Sequence, residues 1–212
     1  MTTIVPASEM LLETDLLRAS PVQARSNERV SALLDAAATI IHRSGYEELT
    51  TAAVANEADA SIGTVYRYFE DRVAVLRALA TRNFERTAVA FSDALESSKP
   101  ASPAEAIDVL FGVYLSLFRS EPGYRSLRMG DVLDIRPFDG ALASRRSCEL
   151  LAKRLNALFG LAATEETITA LEIGYTTMDA LLGRAFAESE KGDAVFIEAA
   201  RSATASVAAT LR

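Results

Sequence analysis

The stretch from Thr50 to Phe69, TTAAVANEADASIGTVYRYF, constrains the fold more than any other part of this 212-residue chain. Thr50 or Thr51 can cap a short helix that runs to about Ala58, because a threonine hydroxyl accepts a hydrogen bond from a first-turn amide. A tight turn at Asp59 follows, and Ser61 is placed to cap a second helix. The spacing predicts two short helices joined by a turn of three or four residues, which is a helix-turn-helix.

The exposed face expected for the second helix combines small, hydroxyl-bearing and cationic residues, namely Gly63, Thr64, Tyr66, Arg67 and Tyr68. Gly63 lets the helix approach a phosphate, and the hydroxyl groups can donate hydrogen bonds to phosphate oxygens. The fork of Arg67 can pair with the O6 and N7 edge of guanine. This face predicts a DNA-reading helix. The alternative is a helical hairpin within a larger bundle, with these aromatic side chains in its core; Val65 and Phe69 are core under either interpretation.

The spacing also follows the signature T-T-x-x-[IV]-A-x-x-A-x-x-S-x-G-T-[LV]-Y-x-Y-F, which this chain matches at Thr50, Thr51, Val54, Ala55, Ala58, Ser61, Gly63, Thr64, Val65, Tyr66, Tyr68 and Phe69. The chain therefore resembles the tetracycline-repressor (TetR) family of bacterial transcriptional regulators over about residues 28–80. In that family a cationic residue three positions after the phenylalanine opens the fourth helix at a phosphate, and Arg72 has that position. The resemblance, together with the exposed face, implies DNA contacts from Thr50, Thr51, Ser61, Ile62, Gly63, Thr64, Tyr66, Arg67, Tyr68 and Arg72.

The chain departs from the family pattern at several positions. Asp59 replaces the usual glycine of the turn, and aspartate tolerates a left-handed backbone better than most residues. Ala60 replaces a usual valine, which makes the core slightly smaller. Ala52 and Ile62 stand where relatives often place polar base contacts. Direct readout is therefore expected to rely on Arg67 and on methyl contacts from Ile62, and the operator sequence stays open.

Apolar residues recur at intervals of three and four along most of the chain, and no segment alternates convincingly with a period of two. Helix signals include Gly45 after a first helix of about 26–43, a capping box that begins at Ser102, and a cap at Thr164. We predict an all-α fold, with an N-terminal three-helix helix-turn-helix DNA-binding domain and a six-helix C-terminal ligand-binding and dimerisation domain. The expected boundaries are 1–24 for an N-terminal arm, 25–71 for the DNA-binding domain and 72–212 for the C-terminal domain.

Composition argues against several classes of function. His42 and Cys148 are the single histidine and the single cysteine, so neither an internal disulfide nor the usual metal-ligand cluster is expected, and we expect no cofactor. No apolar run approaches the roughly 18 residues that cross a bilayer, and the N-terminus does not resemble a secretory signal. We therefore expect a cytoplasmic protein without a membrane partner. We also expect no enzymatic activity, because no carboxylate is placed beside a nucleophile or a metal.

Charge argues against a DNA-binding function at first sight, because the net charge is −7 and nucleic-acid binders usually show a basic footprint. Residues 18–86, however, hold nine basic and nine acidic side chains, so this part of the chain is neutral. The acidity lies before and after it. We therefore predict modest nonspecific DNA affinity and a binding mode that depends on a dimer with two aligned recognition helices.

The last two predicted helices carry many small residues that permit close helix approach: Gly174, Ala180, Gly183, Ala185, Ala199, Ala203, Ala205, Ala208 and Ala209. Packing within one chain is the alternative. Similar proteins pair these helices into a four-helix bundle, so we expect a homodimer through the last two helices.

The resemblance also implies an effector pocket in the C-terminal domain. Its candidate lining residues are Phe84, Phe111, Tyr114, Phe118, Tyr124, Met129, Tyr175 and Met178, although an aromatic or methionine side chain at such a position is by itself more often an ordinary core residue. Clustered basic residues are absent, which disfavours a strongly anionic ligand. We therefore expect a small apolar or amphipathic effector of unknown identity.

The function predicted from the sequence is a ligand-responsive transcriptional regulator. It is expected to repress by binding a palindromic operator in double-stranded DNA as a homodimer and to be released by its effector, although activation is also compatible with the sequence. Two alternatives stay open. One is an all-helical small-molecule binder without DNA-binding activity, and the other is a protein-interaction module that docks through its N-terminal leucines.

Overall fold

The computed structural model describes residues 24–127 and 143–211. Its α-helices are α1 (Ala24–Ser44), α2 (Thr51–Glu57), α3 (Ile62–Tyr68), α4 (Arg72–Ser98), α5 (Pro103–Ser120), α6 (Tyr124–Leu127), α7 (Ala143–Phe159), α8 (Glu165–Ala185) and α9 (Ala194–Ala208), and a 3₁₀ helix spans Tyr46–Glu48. No strand occurs in these two ranges, which confirms the predicted all-α class. Most of the predicted N-terminal arm and Met129 lie outside the described residues.

Hydroxyl side chains cap four of these helices. Thr50, Ser61, Ser102 and Thr164 each accept a hydrogen bond from the amide three residues later, at 3.0–3.2 Å. All four caps were predicted, and Thr50 rather than its neighbour caps α2. The capping box at α5 differs from the usual form. The Glu105 carboxylate accepts a hydrogen bond from the amide of Ala101, whereas in the usual form it accepts one from the amide of the capping serine.

The first compact unit contains the described residues 24–86 and 122–127. Its core consists of side chains from α1 to α4 and from α6, among them Leu33, Ala37, Ile41, Leu49, Val54, Val65, Phe69, Leu79 and Leu127. We had expected a boundary at residues 71 and 72, where α4 does begin. The unit extends further because Leu76, Leu79 and Ala80 of α4, and Leu127 of α6, are buried in the same core.

Arg82 of α4 forms hydrogen bonds with α1 within this unit. The guanidinium of Arg82 donates to the Asp35 carboxylate at 2.7 Å and to the carbonyl oxygen of Leu34 at 3.1 Å. The Arg82 side chain is only 12% exposed, so these charge-assisted bonds are shielded from water on the arginine side. They fix the position of α4 along α1.

The second compact unit contains the described residues 87–121 and 143–211. In its interior α8 and α9 approach closely at Gly174, where an added Cβ would lie 3.2 Å from a methyl group of Val207. Part of the small-residue pattern in these helices therefore serves packing within one chain. Cys148 is buried in the core of this unit.

Arg145 joins α7 to α8 in this unit. Its guanidinium donates to Glu172 at 3.0 Å and also to Glu165. The hydrogen bonds to Glu172 and then to Glu165 raise the pKa of Arg145 above its ordinary value. Elsewhere in the unit, Arg201 of α9 pairs with Asp108, and its guanidinium carbon lies 4.5 Å from the centre of the Phe111 ring, which links α9 to α5.

We expect Gly123→Ala to destabilise the first unit more than the same substitution does at a left-handed glycine without close neighbours. Gly123 has φ +72°, and a Cβ there would lie 2.9 Å from the carbonyl oxygen of Ala38 in α1. The left-handed backbone costs a non-glycine residue ~1–2 kcal/mol, and the clash adds ~1–3 kcal/mol. The free energy of unfolding, measured by denaturant titration, checks this.

The matched control is Gly160→Ala. Gly160 has φ +71° and no atom within 4 Å of the added Cβ, so it should lose only the backbone term of ~1–2 kcal/mol. Equal losses at the two positions would contradict the close approach between α6 and α1.

Candidate nucleic-acid interface

The turn between α2 and α3 has the backbone that the sequence requires. Asp59 adopts φ +46°, and the Ala60 amide donates to the carbonyl oxygen of Ala55 at 2.9 Å. This confirms that aspartate accommodates the left-handed position for which the family uses glycine. Because the turn is closed by its own hydrogen bonds, the angle between the two short helices is fixed locally.

The buried side of α3 consists of Val65 and Tyr68, with Phe69 directly after the helix. Val65 and Phe69 are fully buried, as predicted. The expectation that Tyr68 belongs to the exposed face was wrong, since its side chain is 7% exposed and packs in the core of the first unit. The reason is register: residues three apart share a face of a helix, so Tyr68 lies on the side of Val65.

The opposite side of α3 is exposed and consists largely of uncharged groups. Ile62 is 44% exposed and Tyr66 is 48% exposed, although both are large and largely apolar. The guanidinium of Arg67 is exposed and makes no hydrogen bond or ion pair with residues 24–127 or 143–211. This side therefore presents one cation and two large apolar surfaces to whatever it meets.

A hydrogen bond connects the two helices at this surface. The hydroxyl of Thr51, the first residue of α2, donates to the Tyr66 hydroxyl at 3.3 Å. The phenol can still donate its own proton outward, which a phosphate oxygen would accept. Thr51 thus positions Tyr66, and sequence reasoning had brought both residues to the interface without pairing them.

The start of α3 is occupied by small polar groups. The hydroxyls of Ser61 and Thr64 lie 2.9 Å apart, and Ser61 also caps the helix. At Gly63 an added Cβ would meet only the Ser61 hydroxyl oxygen, at 3.8 Å. Neither the backbone nor the packing within residues 24–127 and 143–211 therefore requires glycine at residue 63.

The start of α4 completes the surface. Asp71 caps the helix by accepting from the Ala74 amide at 2.8 Å, and the exposed Arg72 donates to the carbonyl oxygen of Glu47 at 3.3 Å. Arg72 is thereby held beside the short 3₁₀ helix with its remaining donors available to a phosphate. Its predicted position at the first residue of α4 is confirmed.

One ion pair near this surface was missed from the sequence. Arg43, at the end of α1, bonds Glu57, at the end of α2, at 2.9 Å. The two residues are 14 positions apart, and no local pattern connects them. The pair neutralises one of the arginines that could otherwise add to a basic surface.

The candidate effector residues are divided between the two units. Phe111, Tyr114, Phe118, Tyr175 and Met178 belong to the second unit, and all except the half-buried Tyr175 are buried. Phe84 and Tyr124 are buried residues of the first unit.

A polar group lies among the aromatic rings of the second unit. The Tyr114 hydroxyl is 3.0 Å from the Tyr175 hydroxyl and donates to the Asp179 carboxylate at 2.7 Å. The Phe118 ring centre lies 5.3 Å from that of Tyr114, and Phe186 packs on Phe118 in turn. Asp179 was not predicted as a site residue, although its place one turn after Tyr175 on α8 is a signal that could have found it.

Two other kinds of site do not occur in the part of the chain that the structure describes. No three histidine, cysteine, aspartate or glutamate side chains in that part are grouped to hold a metal ion. No helix there is long and apolar enough to span a membrane.

Comparison with known proteins assigns the family. The family model described as "Bacterial regulatory proteins, tetR family" matches residues 33–79, and the model "Tetracyclin repressor-like, C-terminal domain" matches residues 101–208. Together the two matches span most of the chain. The chain belongs to the tetR family of bacterial regulatory proteins, which confirms the resemblance based on residues 50–69.

Individual relatives agree with this assignment. The chain is similar to the HTH-type transcriptional repressor KstR of Mycolicibacterium smegmatis, with 37% identity over 86 residues, which are 41% of this chain and 38% of that protein. It is also similar to KstR of Rhodococcus jostii, with 42% identity over 59 residues and 28% of each chain. The chain thus spans less than two fifths of the length of these curated relatives.

Solved structures extend the similarity to both units. A TetR-family transcriptional regulator from Streptomyces coelicolor has 29% identity and a TM-score of 0.75, with 87% of this chain and 99% of that chain covered. The fatty acid degradation regulator FadR from Bacillus halodurans shares the fold at 17% identity and a TM-score of 0.61, with 87% and 96% covered.

We expect Gly63→Ala to change stability and DNA affinity in opposite directions. The substitution should raise the free energy of unfolding by ~0.5–1 kcal/mol, because alanine is the better helix former and the added methyl meets no obstacle. It should weaken DNA binding, because the methyl group would stand between α3 and the phosphate backbone. Thermal unfolding and anisotropy titration on the same preparation measure both effects; unchanged DNA affinity would remove Gly63 from the interface.

Proposed function

We propose that this protein is a ligand-responsive transcriptional regulator that binds operator DNA through α2 and α3 and acts as a repressor. The observation that carries the proposal is the division of α3 into two faces. Val65 and Tyr68 hold the helix in the core, while Ile62, Tyr66 and Arg67 are exposed on the opposite side. Membership of the tetR family and the similarity to KstR repressors support the same function.

The side chains of the interface divide into two roles. Tyr66, positioned by Thr51, and Arg72, at the start of α4, contact phosphates and thereby set the register of α3 on the duplex. Arg67 reads a base edge, for which its guanidinium suits the O6 and N7 acceptors of guanine. Ser61 and Thr64 provide only small polar side chains at the start of α3, where the helix passes the phosphate backbone of the DNA.

Tyr68 takes no direct part in base reading in this proposal. Its side chain is only 7% exposed, so little of its surface is available to DNA. Its contribution to affinity comes from fixing the orientation of α3.

The proposed regulator binds as a homodimer, since one neutral helix-turn-helix has too little phosphate neutralisation for firm binding. Outside their mutual packing, α8 and α9 each expose a row of small or apolar residues, with Ile173 and Ala180 on α8, and Val195 and Ala199 on α9. Ile173 is 58% exposed and Val195 is 75% exposed, which would be covered in a dimer. A two-fold dimer would place two recognition helices ~34–36 Å apart, one turn of DNA.

The effector site of the proposed regulator lies in the second unit, around the hydrogen-bonded tyrosines and Asp179. Aromatic rings surround this polar group, so the ligand that fits the chemistry is mostly apolar with a hydrogen-bonding group. Ligand binding weakens DNA binding by the same factor as DNA weakens ligand binding, typically ~1–3 kcal/mol. A regulator of this kind acts in the cytoplasm, on the chromosome.

Selection of bound duplexes from a random-sequence DNA library by the full-length protein tests the proposed function. An inverted repeat with half-sites about one helical turn apart should be enriched, and its affinity should fall linearly with the logarithm of salt concentration. Protein that has been unfolded and refolded should give the same result, which excludes interference by a copurified effector. Absence of enrichment from the refolded protein would contradict DNA-binding regulation.

We expect Arg67→Ala to weaken binding by ~1–3 kcal/mol per half-site and to relax specificity at one base pair of each half-site. Arg67→Lys is the matched variant, because lysine keeps the charge and loses the bidentate fork. If Arg67 reads a base, the lysine variant recovers the salt slope but not the specificity. Recovery of both by lysine would show that Arg67 only contacts a phosphate.

We expect Ala180→Glu to weaken the homodimer at least about a hundredfold, because a two-fold interface would bury the new carboxylate close to its own copy. Ala157→Glu is the control, since Ala157 is an exposed alanine on α7, outside the proposed interface. Sedimentation equilibrium of both variants measures the dissociation constants. A dimer of unchanged strength in Ala180→Glu would exclude this face of α8.

A further inference from the structure

The first residue of the exposed face of α3 is aliphatic. Ile62 is 44% exposed, although its side chain has no polar atom and cannot form a hydrogen bond with water, a phosphate or a base edge. Ala52 on α2 is exposed as well, so two exposed positions beside the hydroxyl groups of Thr51, Ser61 and Thr64 carry no hydrogen-bonding side chain. A regulator that read every base by hydrogen bonds would have no use for such a surface.

We infer that Ile62 reads the C5 methyl group of a thymine in each operator half-site. The inference rests on the proposed function and names what the interface selects. When α3 enters the major groove, Ile62 leaves water, and this is favourable only where it meets apolar surface. The edges of the bases in the major groove offer hydrogen-bond donors and acceptors, and the thymine methyl is the one apolar group among them.

The neighbours of Ile62 favour this position. Tyr66 lies one turn further along α3 on the same face and is positioned by its hydrogen bond with Thr51. Gly63 has no side chain, which lets the start of the helix come close to the duplex. Ile62 is also β-branched and therefore stiff, so little conformational entropy is lost on contact.

The contact divides the reading of the operator between two residues. Arg67, five positions after Ile62, reads a guanine by hydrogen bonds, whereas Ile62 reads a thymine by exclusion of water from its methyl group. The two residues are separated by more than one turn of α3, so they address different base pairs.

The test uses the inverted repeat selected by the full-length protein as a fluorescent duplex. Each symmetric pair of thymines is replaced in turn by deoxyuridine, which lacks the C5 methyl group and keeps the hydrogen-bond pattern. At one pair of positions the affinity should fall about fourfold per half-site, which corresponds to ~0.8 kcal/mol for one buried methyl group. With both half-sites replaced, the loss should be about fifteenfold if the half-sites are additive.

Variants assign the effect to Ile62. Ile62→Ala should bind the thymine operator more weakly and should lose the difference between thymine and deoxyuridine at that position. Val89→Ala, a substitution of an exposed aliphatic residue of α4 in the second unit, should keep the full difference. A deoxyuridine effect that acts through DNA shape would persist in Ile62→Ala, so the variant separates direct contact from shape.

The outcomes separate this inference from the proposed function. If no duplex is bound, the proposed function fails and the inference with it. If the operator is bound with a clear salt dependence but no thymine is sensitive to deoxyuridine, or the sensitivity survives in Ile62→Ala, the inference fails and the proposed function stands. Loss of the sensitivity in Ile62→Ala alone establishes Ile62 as a specificity-determining residue.

Discussion

The burial of Val65, Tyr68 and Phe69 is the interaction on which the candidate interface depends. Helix α3 has seven residues, which is far too short to be stable in water by itself. Each of these side chains contributes on the order of 1.5–3 kcal/mol when it is removed from water, and this burial orients the helix. The exposed face of α3 is therefore a property of the core of the first unit, because the Thr51–Tyr66 hydrogen bond on that face is too weak to hold the helix by itself.

Polar interactions refine what the core establishes. Caps from Thr50 and Ser61 begin the two short helices, and the Thr51 hydroxyl positions a tyrosine on the next helix. Further back, the bonds from Arg82 to α1 fix α4, whose first residue belongs to the interface. These contacts add less free energy than the core does, but they determine where individual hydroxyl and guanidinium groups point.

The parts of the structure that the sequence predicted depend on local chemistry. A cap involves residues three apart, and a left-handed turn involves one backbone angle. An amphipathic helix repeats its apolar residues every three or four positions. The helix caps, the left-handed Asp59 and the all-α fold could therefore be predicted from the sequence. The burial of Tyr68 was also available from its spacing to Val65. The family signature did not indicate this burial, because it includes Tyr68 among its typical residues and does not state which way the ring faces.

The remaining features join positions that no local pattern relates. Arg82 and Asp35 are 47 residues apart, and Tyr114 and Asp179 are 65 residues apart. Each pairing depends on how helices pack, which single-sequence periodicity does not specify. The extent of the first unit has the same origin, since Leu127 enters its core only after the chain has passed through the whole of α5.

The ion pairs of the first unit have a consequence for how such a protein would search a chromosome. Arg43 pairs with Glu57, and both Arg82 and Arg86 pair with Asp35, so at least three of the nine basic side chains in residues 18–86 form ion pairs within the unit. Attraction to random DNA grows with the number of phosphates neutralised, so residence on any random site would be brief. The protein would then move through the nucleoid mainly by short encounters and re-encounters, with little long-range sliding, and only a matched half-site would hold it.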